Sequence, residues 1–83
     1  MRITFKLYAS LGDYLPSGAR ENAVSIEAND DASLNALLDR FRVPREMAHL
    51  VLVNGVFQAP SERDRPMLRD GDTVAVWPPV AGG

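Results

Sequence analysis

The sequence predicts an α+β domain, a mixed sheet of about five strands with one main helix laid across it. Three observations carry this expectation. Both ends of the chain alternate apolar and polar residues with a period of two, as Ile3, Phe5 and Leu7 do near the start and Val74 and Val76 near the end. Between them lies one helical stripe, Leu34, Leu37, Leu38 and Phe41, at i, i+3, i+4, i+7 spacing. An Asn54-Gly55 pair, tolerant of positive φ, interrupts a run of apolar residues and predicts a tight hairpin.

The elements follow in order. Ile3, Phe5 and Leu7 alternate with Thr4, Lys6 and Tyr8 in a half-buried first strand, and Gly12, Pro16 and Gly18 break the chain into a loop. Val24, Ile26 and Ala28 alternate with Ser25 and Glu27 in a second strand, paired with the first as a hairpin. Asp31 or Ser33 is placed to cap the helix, and Pro44 stops it by about Arg42. A short turn with Pro44 at its first position then leads to Ala48. Leu50–Val53 and Val56-Phe57 flank the Asn-Gly turn. Gln58 to Pro66, with two prolines and four charges, reads as a surface loop, and Asp70-Gly71-Asp72 as a turn before a last strand over Thr73–Trp77.

Composition removes most enzyme classes. A chain of 83 residues holds one domain, 1–83, and buries only about 60% of its unfolded surface, too little for a deep catalytic cavity. With no cysteine there is no disulfide framework, thiolate metal site or Cys nucleophile, and the lone His49 argues against a His-based metal centre or triad. Nine basic against eleven acidic residues give a net charge of −2, unlike the basic excess of nucleic-acid binders. The arginine groups Arg40, Arg42, Arg45 and Arg63, Arg65, Arg69 are interleaved with acids and read as a solvated surface. No apolar run approaches the ~18 residues of a membrane span, and Met1-Arg2-Ile3 starts a strand pattern, so a cytoplasmic protein with no membrane or nucleic-acid partner is expected.

The functional signal lies at the other end. After Trp77, Pro78-Pro79 favour an extended path that projects residues 77–83 as a tail. Gly82-Gly83 would then carry a carboxylate on a thread without Cβ atoms, able to enter a narrow tunnel. Frayed termini also end in small residues, but they rarely follow a rigid Pro-Pro exit from a closing strand.

The stretch Leu68-Arg-Asp-Gly-Asp-Thr-Val-Ala-Val-Trp-Pro-Pro-Val-Ala-Gly-Gly83 resembles the terminus of a known family, the ubiquitin-like β-grasp sulfur carriers. These include the small subunit of molybdopterin synthase (MoaD) and the thiamine-pathway carrier ThiS. Phe5-Lys-Leu-Tyr-Ala-Ser-Leu11 resembles the family's first strand, Ser33-Leu34…Leu37-Leu38 its helix start and Val53-Asn54-Gly55 its third-strand turn. The paired prolines favour the MoaD branch, whereas Leu52-Val53-Asn54-Gly55 is at least as similar to ThiS.

The resemblance implies a ubiquitin-like β-grasp fold with a flexible Gly-Gly tail, and a carrier instead of an enzyme. A ubiquitin-activating-enzyme-like adenylyltransferase would use ATP to adenylate Gly83, with Gly82 as the slender approach. A sulfur donor protein would convert the adenylate to a thiocarboxylate, and the large subunit of molybdopterin synthase would receive that sulfur for molybdenum cofactor biosynthesis. No cofactor or metal is expected on the chain itself. Tyr8 and Trp77, outward-facing by alternation, and Phe57, where the family carries an exposed apolar residue, match family positions that pack against these partners, as do Pro78, Pro79 and Val80. Alternatives are sulfur delivery to thiamine or another metabolite, a ubiquitin-like protein modifier, and a plain interaction module. Asp70 and Asp72 read as turn formers, and His49 as a capping or packing residue. Val80 to Gly83 are expected to be disordered in the free chain.

Overall fold

The structure is a computed structural model in which residues 1–79 are described. Its elements are β1 (Arg2–Leu7), β2 (Ala23–Glu27), α1 (Leu34–Arg40), β3 (Leu50–Val53), β4 (Val56–Phe57) and β5 (Thr73–Trp77). Single turns of 3₁₀ helix at Arg45–Met47 and Pro60–Glu62, and a longer one at Ala9–Tyr14, lie in the connections. The five strands form one sheet in the order β2-β1-β5-β3-β4. β1 and β5, the first and last strands, lie side by side in parallel, from Thr4 opposite Thr73 to Leu7 opposite Val76. The other neighbours are antiparallel.

Alternation decides which face is covered. Ile3, Phe5 and Leu7 of β1, Val51 and Val53 of β3 and Val74 and Val76 of β5 are buried on one side of the sheet. Leu34, Leu37 and Leu38 of α1 belong to the same core cluster, with Leu11, Val43 and Leu68 closing its rim. A one-residue slip of β1 would exchange Ile3, Phe5 and Leu7 for Thr4, Lys6 and Tyr8, so the pattern fixes the register of that strand. Met47, Phe41 and Met67 pack against the cluster from its edge.

Of the two candidate caps, Ser33 is used: its Oγ accepts from the backbone N–H of Ala36 at 3.1 Å. The helix ends with Arg42 in the left-handed region (φ +60°) and the Val43 N–H donating to the Leu38 carbonyl at 2.9 Å. That is the geometry a glycine normally supplies. Arg42→Gly is therefore expected to stabilise the fold by about 0.5–1 kcal/mol, the relief of Cβ strain less the added chain entropy. Urea unfolding checks it. Pro44 precedes the 3₁₀ turn at Arg45–Met47 instead of starting it.

Two hairpin turns have paired positive φ values. Asn54 (+50°) and Gly55 (+84°) form the expected one. Glu21 (+51°) and Asn22 (+67°) form another, bridging Arg20 to Ala23, with the Asn22 amide donating to the Leu7 carbonyl at 2.9 Å. The loop at 58–66 departs from expectation. It contains the Pro60–Glu62 turn, and Arg63 is only 4% exposed.

Candidate functional site

The helix covers one face of the sheet, and the other is bare. The strand registers arrange its outward side chains in rows. Nearest the exit of β5 stand Tyr8, Trp77 and Leu50, since Trp77 lies opposite Leu50 across β5 and β3. The next row runs Ala23, Lys6, Ala75, Leu52, Phe57, each opposite its neighbour. Below it come Ser25, Thr4 and Thr73. The face is therefore apolar toward the exit and hydroxyl-bearing away from it. Phe57 is 53% exposed and Leu50 36%. Large apolar side chains gathered on an open face mark an interaction surface.

The structure places Tyr8, Trp77 and Phe57, the three aromatics singled out from the sequence, on one face of the sheet and brings the first two into contact. Tyr8 and Trp77 stack with ring centroids 4.3 Å apart and planes 3° from parallel. The parallel neighbours β1 and β5 make this contact possible by carrying Tyr8 alongside Trp77. The end of β5 is held from both sides: the Tyr8 N–H donates to the Val76 carbonyl and the His49 N–H to the Trp77 carbonyl, each at 3.0 Å. The start of Pro78-Pro79 is thus fixed to the sheet, with Pro78 half-buried and Pro79 exposed. Val80, Gly82 and Gly83, with the expected disorder of 80–83, lie outside the described residues.

Tyr8→Ala is expected to cost about 0.5–1.5 kcal/mol beyond lost area. It should also red-shift the emission of Trp77, the chain's single tryptophan. Fluorescence-detected urea unfolding reads both.

The sequence reading passed over Leu50 and Leu52. They sit in a run of four apolar residues, where no alternation tells the outward pair from Val51 and Val53. Arg63, expected from the sequence on a solvated surface, is instead buried, and its guanidinium donates to the carbonyls of Gln58 (3.1 Å), Ala48 (2.7 Å) and His49 (3.3 Å). Burial lowers the Arg63 pKa from its ordinary value by penalising the charged form.

Asp70 and Asp72 are occupied as turn formers. Asp70 accepts from the Arg2 N–H at 2.6 Å. Asp72 accepts from the Arg69 N–H at 2.9 Å and from the Asn54 amide at 2.8 Å. The His49 side chain is exposed, and it is the backbone of His49 that bonds, which corrects the packing role expected for it. Among the described residues no group of three or more His, Cys, Asp or Glu is placed to hold a metal ion, and no pocket is formed.

A hairpin, a crossing helix and a returning hairpin edge, closed by a last strand parallel to the first, define a ubiquitin-like β-grasp domain. The chain belongs to the Mut7-C ubiquitin family, whose model matches residues 1–82. Among solved structures, the Haloferax volcanii HVO 2177 protein aligns with a TM-score of 0.77 at 24% identity, over 100% of this chain and 87% of that one. SAMP1 from Haloferax volcanii aligns over the whole of both chains at 25% identity and a TM-score of 0.65. A molybdopterin-converting factor subunit from the complex of subunits 1 and 2 of Helicobacter pylori also aligns over the whole of both chains, at 24% identity and a TM-score of 0.59. No curated protein matches the chain. The fold and the ubiquitin-like resemblance expected from the sequence are both found.

Proposed function

We propose that this chain is a non-catalytic sulfur carrier of the MoaD type, acting through the Gly83 carboxylate. The observation that carries the reading is the junction at Trp77. A bare apolar sheet face ends beside a backbone clamped on both sides, and Pro78-Pro79 lead from it toward Gly82-Gly83. A partner docked on Tyr8, Trp77, Leu52 and Phe57 would thereby receive the tail in a set direction. In this reading the carboxylate attacks the α-phosphorus of ATP in a ubiquitin-activating-enzyme-like adenylyltransferase and displaces pyrophosphate. Sulfide-level sulfur from a donor protein then displaces AMP, leaving a thiocarboxylate. That group is nucleophilic at neutral pH without a neighbouring base, so the carrier needs no Cys or His of its own. The acceptor would be the large subunit of molybdopterin synthase, in keeping with the Helicobacter pylori subunit complex of the same fold.

A second reading, a ubiquitin-like modifier, is favoured by the full-length similarity to SAMP1, a fold also described as small archaeal modifier protein 1. Both share the adenylation step. Intact mass after incubation with the activating enzyme, ATP and a sulfur source tests the proposal. A gain equal to replacing one oxygen by sulfur, lost when Gly83 is deleted, is expected. Lysine-linked, thiol-resistant conjugates without that gain would instead establish the modifier.

A further inference from the structure

Lys6 is the single lysine of the chain, and it stands in the middle row of the bare face, between Ala23 and Ala75 in register. Along β1 its outward neighbours are Thr4 and Tyr8. Across β5 and β3 the same row continues through Leu52 to Phe57. Glu27 sits at the far end of the β1–β2 register from Lys6 and is paired with Arg2 at 2.7 Å. The other ion pairs among the described residues join the Met1 ammonium to Glu27 and Asp30, Arg45 to Asp39 and Arg65 to Glu62, and none includes Lys6.

A half-buried lysine flanked across the sheet by Ala23 and Ala75 is tolerable while its head reaches water. It becomes costly once a partner covers the face, because an unpaired buried charge loses its hydration without compensation. We propose that Lys6 sets partner specificity, and that the surface docking on this face presents a carboxylate opposite Lys6 within an otherwise apolar patch. The occupant we assign is the activating adenylyltransferase, and the inference rests on the function proposed above. Wholly apolar mates are rejected by the same charge, a repulsive element built into an attractive surface.

The test is steady-state adenylation by the chain's activating enzyme, read as ATP–pyrophosphate exchange with the carrier as varied substrate. Lys6→Met keeps the stem and removes the charge, and it is expected to raise KM about tenfold or more with kcat unchanged, the loss of a close interfacial charge pair. Lys6→Glu should raise it further. Lys6→Arg should stay within a few-fold of the natural chain, and replacing the facing carboxylate by lysine should rescue Lys6→Glu. Thermal unfolding of each variant establishes that it is folded. If Lys6→Met binds as well as or better than the natural chain, Lys6 is a solvated side chain at the margin of the contact. The specificity proposal then fails while the carrier reading stands. If the natural chain supports no exchange at all, the carrier reading fails and this inference with it.

Discussion

Replacing Arg63 by methionine is expected to lower stability by about 3 kcal/mol, more than any other change to a charged residue in the chain. Arg63 is 4% exposed, and its guanidinium is the donor for three backbone carbonyls, those of Gln58, Ala48 and His49. Methionine fills much of the same volume, so little of the cost is cavity. The cost comes from carbonyls that lose a charged donor, the bond to Ala48 being buried and those to Gln58 and His49 part-buried. These carbonyls bracket the entry to β3, and the Arg63 carbonyl itself accepts from the Asn35 N–H on the helix at 2.9 Å. Arg63 therefore fastens the loop at 58–66 to both sheet and helix, beside the Asn35 amide donating to Asp64 at 2.8 Å and the Gln58 N–H donating to the Val51 carbonyl at 2.9 Å. Arg65→Met is the matched control: Arg65 pairs with Glu62 in the open, and its loss should change stability by no more than about 0.5 kcal/mol. Urea unfolding followed through Trp77 compares the two. A cost for Arg63→Met below about 1 kcal/mol would mean that the carbonyls find other donors.

Arg63 also shows where reading from sequence stops. In a segment with no periodicity, charge and proline predict exposure, and Arg65 and Asp64 obey. Arg63 does not, because its planar fork of donors matches carbonyls supplied by residues 5 to 15 positions away in sequence. No local pattern encodes that match. The strands, the helix and the outward direction of Tyr8 and Trp77 were legible because periods of 2 and 3.6 are local properties of side-chain geometry. The stacking of Tyr8 on Trp77 was not, since it depends on β1 and β5 becoming parallel neighbours across nearly the whole chain. The choice of Leu50 and Leu52 over Val51 and Val53 as the outward pair likewise awaited the β3–β5 register.

Gly82→Val is expected to cut adenylation kcat/KM by about a hundredfold or more, with no change in the unfolding midpoint. The two halves of this outcome have separate causes. The core cluster of the described residues runs from Ile3 to Val76, and the substitution alters none of its side chains. A β-branched side chain there leaves the Gly83 carboxylate chemically intact but widens the thread just before the reacting group. Valine also restricts φ and ψ where glycine does not. An active site that closes around bare backbone from every side would have to open by the width of an isopropyl group, and a displacement of about 1 Å at a reacting carboxylate already costs about a hundredfold. Deleting Gly83 should go further and abolish activation, because the next carboxylate is then one residue short of the reacting position. Pyrophosphate exchange measured beside thermal unfolding separates these effects from misfolding. Deletion with exchange intact would exclude Gly83 as the activated residue. Gly82→Val at natural rates would instead place the recognition of this chain on its sheet face alone, with the tail entering an open channel.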